Sequence, residues 1–243
     1  MNIRIIFTFL LATVITYNGS TQFGLRLKYN QNNFSDWEKA IQNRFNADEK
    51  LLSSGYEAGL DYWFRLKKRR IEFMPELAYS YASTSFDNPV IDKINFSSVH
   101  FNFNTQIYAL DLEGDCNCPT FSKQGPSINK GLFFHFTPGI SYYNAEGLTT
   151  LTTSESWSDS TSEGWAFKGG VGVGLDLGLS DLLTITPIIS YYFNTAMNWQ
   201  KLDKRVVDNG FAYLDSKSQP KQLQLTIRLG FRPDYGRGGR RRR

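Results

Sequence analysis

Two histidines, His100 and His135, and two cysteines, Cys116 and Cys118, are all that this chain of 243 residues offers for imidazole or thiol chemistry. An imidazole titrates near neutral pH and can serve as acid, base or metal ligand. Each histidine stands in an alternating stretch, Val99-His-Phe-Asn-Phe-Asn-Thr-Gln-Ile-Tyr108 and Leu132-Phe-Phe-His-Phe-Thr-Pro138. There it shares a face with polar residues, Asn102 in one case and Thr137 in the other. No nucleophile is placed beside either histidine in the sequence, so hydrolysis is not expected. A hydrogen-bonded interior histidine is the better reading.

The cysteines lie in Asp115-Cys-Asn-Cys-Pro119. A bridge across one intervening residue closes a small, strained ring, and two ligands fall short of the four of a structural zinc site. A disulfide and a reduced pair both stay open, and neither a metal nor a cofactor is expected. The glycines of Gly170-x-Gly172-x-Gly174 alternate along a strand, where they relieve crowding; they do not form a phosphate-binding loop.

A larger titratable set shares the situation of the histidines. Arg26, Lys28, Glu57, Asp61, Arg65, Glu72, Glu76, Lys168, Asp176 and Arg228 all alternate with apolar neighbours. Charges brought inside must pair or neutralise. With both signs on neighbouring stretches, a mutually paired interior network is expected, and a conducting path is the lesser alternative.

The elements that would position these residues are strands. In Gln222-Leu-Gln-Leu-Thr-Ile-Arg-Leu-Gly-Phe231, the side chains of Leu223, Leu225, Ile227, Leu229 and Phe231 fall on one face and Arg228 on the other. That length suits a tilted strand crossing a bilayer. An apolar face with an arginine behind it suits a wall with lipid outside and a polar interior. Seven further stretches repeat the pattern, over residues 23–29, 56–66, 71–81, 99–108, 132–142, 165–177 and 183–193. The fold expected is all-β: an eight-stranded antiparallel up-and-down transmembrane β-barrel with long external loops.

Three of these strands share an apolar-x-Pro-x-(Leu/Ile)-x-Tyr motif, at Phe73–Tyr79, Phe136–Tyr142 and Ile185–Tyr191. Proline disfavours central strands, so a shared local distortion is expected there. The register sets Phe73, Phe134, Phe136 and Phe231 at one rim and Tyr79, Tyr142 and Tyr191 at the other, as two interfacial aromatic girdles.

Connections after the first, third, fifth and seventh strands are long, and those after the second and sixth are short. The long ones are therefore expected outside and the termini in the periplasm. The cysteine-bearing connection after the fourth strand is long against this trend. In the first connection Ser35 and Glu38 have capping-box spacing. Trp37, Ala40, Ile41 and Phe45 recur at helical intervals, which predicts a short amphipathic helix. The connection before the last strand reads as a loop. Trp37, Trp157 and Trp199 are expected as exposed contact residues in these loops.

At the N-terminus Arg4 precedes an apolar run to about Ile15 and then small polar residues. This reads as a secretory signal peptide over residues 1–21. After Phe231 come six Arg and one Asp, a net +5, so residues 232–243 more than account for the chain's formal charge of +4. A Gly/Arg tail of this kind is expected to be disordered, with an anionic headgroup or envelope polyanion as its possible partner. Nucleic acid is not an expected partner for an exported chain.

Over residues 22–231 the pattern resembles the eight-stranded outer-membrane β-barrels of the OmpA-barrel, OmpX and OmpW type. The terminal Phe231 is the one residue-level feature that the resemblance includes. The resemblance implies residence in the outer membrane of a Gram-negative-type cell envelope, contact with outer-membrane lipid, and insertion by the barrel-assembly machinery. It implies a non-enzymatic protein with a structural, adhesive or interaction role through its external loops. A narrow porin-like channel or small-ligand transporter is the alternative, and a lipid-modifying barrel enzyme a more remote one. The long cysteine-bearing turn and the tail beyond Phe231 depart from the pattern.

Overall fold

The computed structural model describes residues 22–47, 49–66, 69–88, 91–112, 131–148, 161–180, 183–207 and 210–231. Strand β1 (Phe23–Asn33) is followed by helix α1 (Ser35–Phe45), then β2 (Ser54–Tyr62), β3 (Ile71–Ser85), β4 (Lys93–Ile107), β5 (Leu132–Leu148), β6 (Ser162–Leu175) and β7 (Leu183–Asn194). A hairpin of β8 (Met197–Val207) and β9 (Gly210–Ser218) precedes the last strand, β10 (Lys221–Phe231). Strands β1 to β7 pair in sequence, and β10 pairs with both β7 and β1. The result is a closed, antiparallel eight-stranded barrel. Closure is complete along both terminal strands, from Phe23 opposite Phe231 to Asn33 opposite Lys221.

Residue polarity divides the barrel wall into two zones. Nearer the chain termini, large apolar side chains face out: Leu60, Leu77, Phe101, Phe134, Phe167 and Ile227 are all exposed. The inward positions there are charged or amide-bearing and buried, as in Arg26, Glu57, Glu76, Asn102 and Arg228. At the other end the phase inverts. Ser83, Ser85, Asn95, Asn144 and Glu146 face outward, while Ala82, Ile94, Phe96, Tyr143 and Ala145 are buried within. The switch falls on a ring of outward residues: Val99, Tyr142 and Trp165 are register neighbours, and Tyr81 pairs with Ser97, two residues from Val99 on β4. Beyond that ring the strands carry no apolar outer face, so β3, β4 and β5 run several residues past the ends expected from their outward pattern.

The inverted zone is closed by a cap. Helix α1 buries Trp37, Ala40 and Ile41, the spacing that predicted it. Its expected capping box is absent: Phe34 is the N-cap residue and contributes no side-chain bond. Instead the Ser35 amide donates to Asn33 Oδ1 at 3.1 Å. Asn46 ends the helix in the left-handed region at φ 53°, a conformation that asparagine tolerates better than most residues.

The hairpin β8–β9 replaces the loop expected before the last strand. Its alternation was hidden by a register shift between Trp199 and Asp203, where Lys201 takes φ 58°. The buried set therefore steps from Met197 and Trp199 to Leu202, which breaks period 2. Trp37 meets Trp199 edge-on at 5.2 Å and stacks on Phe34 at 5.3 Å. Such aromatic pairs add about 0.5–1.5 kcal/mol beyond their buried area. Trp37 Nε1 also donates to the Ser216 carbonyl at 3.1 Å, tying the helix to the hairpin. The expectation of exposed contact tryptophans is thus corrected: Trp37 and Trp199 are fully buried, and Trp157 lies outside the described residues.

The prolines of the repeated motif face outward. Pro75 and Pro187 keep their places in the ladder on one side. On the other side the ladder lapses for two residues, between Asp61–Glu76 and Phe64–Phe73 and between Gly174–Ile188 and Leu177–Ile185. At Pro138 the β4–β5 ladder lapses for two residues between Asn102–Gly139 and Thr105–Phe136, as a missing amide donor requires. The expected distortion is therefore shared by all three prolines.

Candidate functional site

The charged interior below the cap divides into three levels. Nearest the termini, Tyr108 and Thr186 hydroxyls both donate to Asp176. Tyr108 also lies 3.1 Å from Glu72 Oε2, and Trp63 Nε1 donates to that carboxylate at 2.6 Å. The Arg70 guanidinium sits 4.2 Å from the centre of the Tyr108 ring. Arg70, the last residue of the basic run Lys67-Lys-Arg-Arg70, is fully buried at the foot of the lumen. It precedes the alternating run of β3, so periodicity gave no signal for it.

In the middle level Asp61 is held by two arginines. Arg228 grips it with Nε at 2.7 Å and Nη2 at 2.7 Å, and Arg26 Nε reaches Oδ2 at 2.7 Å. Paired donors on a carboxylate are the strongest geometry such a contact offers. Above them Lys28 Nζ lies 2.6 Å from both Glu57 Oε1 and Glu76 Oε1. Asn102 and Asn104 donate to the other Glu76 oxygen at 3.1 and 2.9 Å, and Gln224 donates to Glu57 Oε2 at 3.2 Å. Each ion is thus both paired and hydrogen-bonded, the condition for keeping a charge inside.

Three glycines on β6 leave room for this filling. A Cβ on Gly170 would lie 2.3 Å from the Tyr192 ring, one on Gly172 2.3 Å from the Ile189 carbonyl, and one on Gly174 2.3 Å from the Phe133 ring.

The two histidines point inward on adjacent strands but do not meet. His100 stands opposite Ser141, and His135 opposite Gln106, six residues further along β4. Each is surrounded by hydroxyls, which corrects the expectation that none would stand beside them. His100 Nε2 lies 2.9 Å from Ser98 and 3.0 Å from Ser80, with Nδ1 2.7 Å from Ser141. His135 contacts Ser190 and Thr137 at 3.0 Å and Asn104 at 3.1 Å. Ser98 and Thr137 stand two residues from their histidines on the same strands, whereas Ser80, Ser141 and Ser190 come from neighbouring strands, so spacing along the chain could not reveal those three. All are buried, and the arrangement satisfies both imidazoles. Among the described residues no three His, Cys, Asp or Glu side chains gather as a metal site would require.

Lys168 is buried just under the cap. Its ammonium lies 5.2 Å from the centre of the Tyr192 ring and has no hydrogen-bond partner among the described residues. The side chain of Arg65 and both cysteines, Cys116 and Cys118, lie outside the described residues. On the outer wall Tyr79, Phe134, Phe136, Tyr191 and Phe231 are exposed. Phe73 packs against Phe64 and Phe103 at 5.4 and 5.6 Å.

No family model matches this chain, and no curated protein matches it. Solved structures with a similar chain path are small outer-membrane barrels. One is Neisserial surface protein A, 10% identical with a TM-score of 0.45, covering 88% of this chain and 97% of that one. Another is a major outer membrane protein from Thermus thermophilus, 8% identical with a TM-score of 0.47, covering 88% and 100%. A third is Ail of Yersinia pestis in complex with the heparin analogue sucrose octasulfate, 12% identical with a TM-score of 0.43, covering 88% and 99%. The likeness is one of fold.

Proposed function

We propose that this chain is a non-enzymatic integral barrel of a bacterial outer membrane. Its lumen is a structural plug, and it acts through its capped end. The observation that carries the reading is the phase inversion of the wall. A belt of exposed aliphatic and aromatic side chains stops at the ring of Tyr81, Val99, Tyr142 and Trp165, and the barrel above it has a polar outside and an apolar core. A continuous apolar outer belt is costly in water and favourable in lipid. The zone above it has the burial pattern of a water-soluble domain.

In this reading Phe73, Phe134, Phe136 and Phe231 mark the periplasmic interface and Tyr79, Tyr142 and Tyr191 the external one. The termini face the periplasm. Helix α1 and hairpin β8–β9 stand outside the cell, where they present a folded surface for structural or adhesive contacts. The paired charges of the lumen serve stability.

The test is electrophoresis of the membrane fraction, boiled against unboiled. A closed, detergent-resistant barrel should migrate differently before boiling. A single mobility in both samples, with the protein recovered in the soluble fraction, would refute the lipid-facing belt.

A further inference from the structure

An amphipathic cleft of about 530 Å³ lies where the cap overhangs the wall. Its upper side carries Lys39 of α1, Lys50 of the following loop and Lys221 at the start of β10, with Glu38 as the one acid among them. None of these lysines forms an ion pair among the described residues. Its lower side is made by Tyr191 of β7 and Leu223 of β10, register partners that face outward at the top of the apolar belt. The same two residues line a second, apolar groove of about 410 Å³ that continues down the wall.

A cationic cleft opening downward into an apolar groove matches a molecule with an anionic head and hydrocarbon chains. We infer that this cleft binds a phosphorylated, acylated lipid of the outer leaflet, with the phosphate held by Lys39, Lys50 and Lys221 and an acyl chain laid over Tyr191 and Leu223. The inference rests on the outer-membrane reading above. It adds a specific lipid partner to a cap otherwise described only as a folded surface. The three ammonium groups hold the phosphate by charge, so the interaction weakens with added salt. The fixed groove gives the chain a set path.

The test uses the purified full chain, folded in detergent and scored in every sample by its mobility before boiling. It is incubated with a phosphorylated multi-acyl lipid or with its dephosphorylated form, and retained lipid is read by native mass spectrometry. Replacing all three lysines in K39Q/K50Q/K221Q should reduce retention of the phosphorylated lipid by roughly tenfold or more, because each cation near an anionic head group contributes appreciably. K93Q/K201Q, which alters lysines that do not line the cleft, should retain it as the native chain does.

Equal retention by the triple variant, or equal retention of the dephosphorylated lipid, overturns the proposal while leaving the barrel reading intact. Competition by a water-soluble polyanion without acyl chains, at the same concentration as the lipid, would also overturn it by showing a simple anion site. A chain with no mobility shift that is soluble without detergent overturns both.

Discussion

At the scale of single residues, Asp61 is the tightest constraint. One carboxylate faces both Arg26 and Arg228, so Asp61→Asn leaves two buried guanidiniums without a counter-ion. Removing one partner of a buried pair costs about 3–5 kcal/mol. The folded band should therefore be lost at a lower temperature when Asp61→Asn is heated in detergent. Gly172→Ala is a second point of stress. Its new Cβ would meet a backbone carbonyl, which cannot swing away as a side chain can. A loss of about 1–3 kcal/mol is expected from such overpacking, measured as a lower urea midpoint. Which residues face inward was legible, since period 2 fixes each one's side. Which charges meet was not. Lys28 on β1 reaches past β2 to Glu76 on β3, and that depends on the stagger between strands, which no single stretch encodes. Ser80 and Ser141, which reach His100 from the two adjacent strands, were missed for the same reason.

At the scale of elements, the cap is where the sequence pattern is hardest to follow. Helix α1 could be read from Trp37, Ala40 and Ile41, but the hairpin could not, because a bulge resets its period in the middle of β8. The upper barrel was hidden in a different way. There the outward residues are serine, asparagine and glutamate, so a search for apolar outer faces ends too early on β3, β4 and β5. The cap also makes a prediction of its own. Trp199→Ala empties the site that Trp37 packs against, at a cost of about 3–5 kcal/mol. Amides of α1, β8 and β9 should then exchange faster with solvent, while those of the β1–β10 ladder keep their protection. Hydrogen exchange read by mass spectrometry separates the two. Uniform acceleration across the barrel would show that cap and wall unfold as one unit.

At the scale of the whole molecule, two independent barriers lie across the lumen: the apolar core under the cap and the ion-paired layers below it. An eight-stranded barrel has an interior just wide enough for its own side chains. In planar bilayers the native chain should therefore give no reproducible single-channel steps. Deleting residues 197–218 should not create them, because the Lys28, Glu57 and Glu76 layer remains; regular steps in either protein would favour the channel reading. The pairing of β1 with β10 has a further consequence, in time. Its partners, Phe23 with Phe231 through Asn33 with Lys221, are the most distant along the barrel sequence. Contacts between distant segments form slowly. Until β10 arrives, β1 and β7 each present an open edge, the kind that pairs with other chains. The last strand therefore sets when this protein stops being a hazard to its neighbours, and a chain cut before residue 221 should accumulate as aggregate however well its first seven strands are formed.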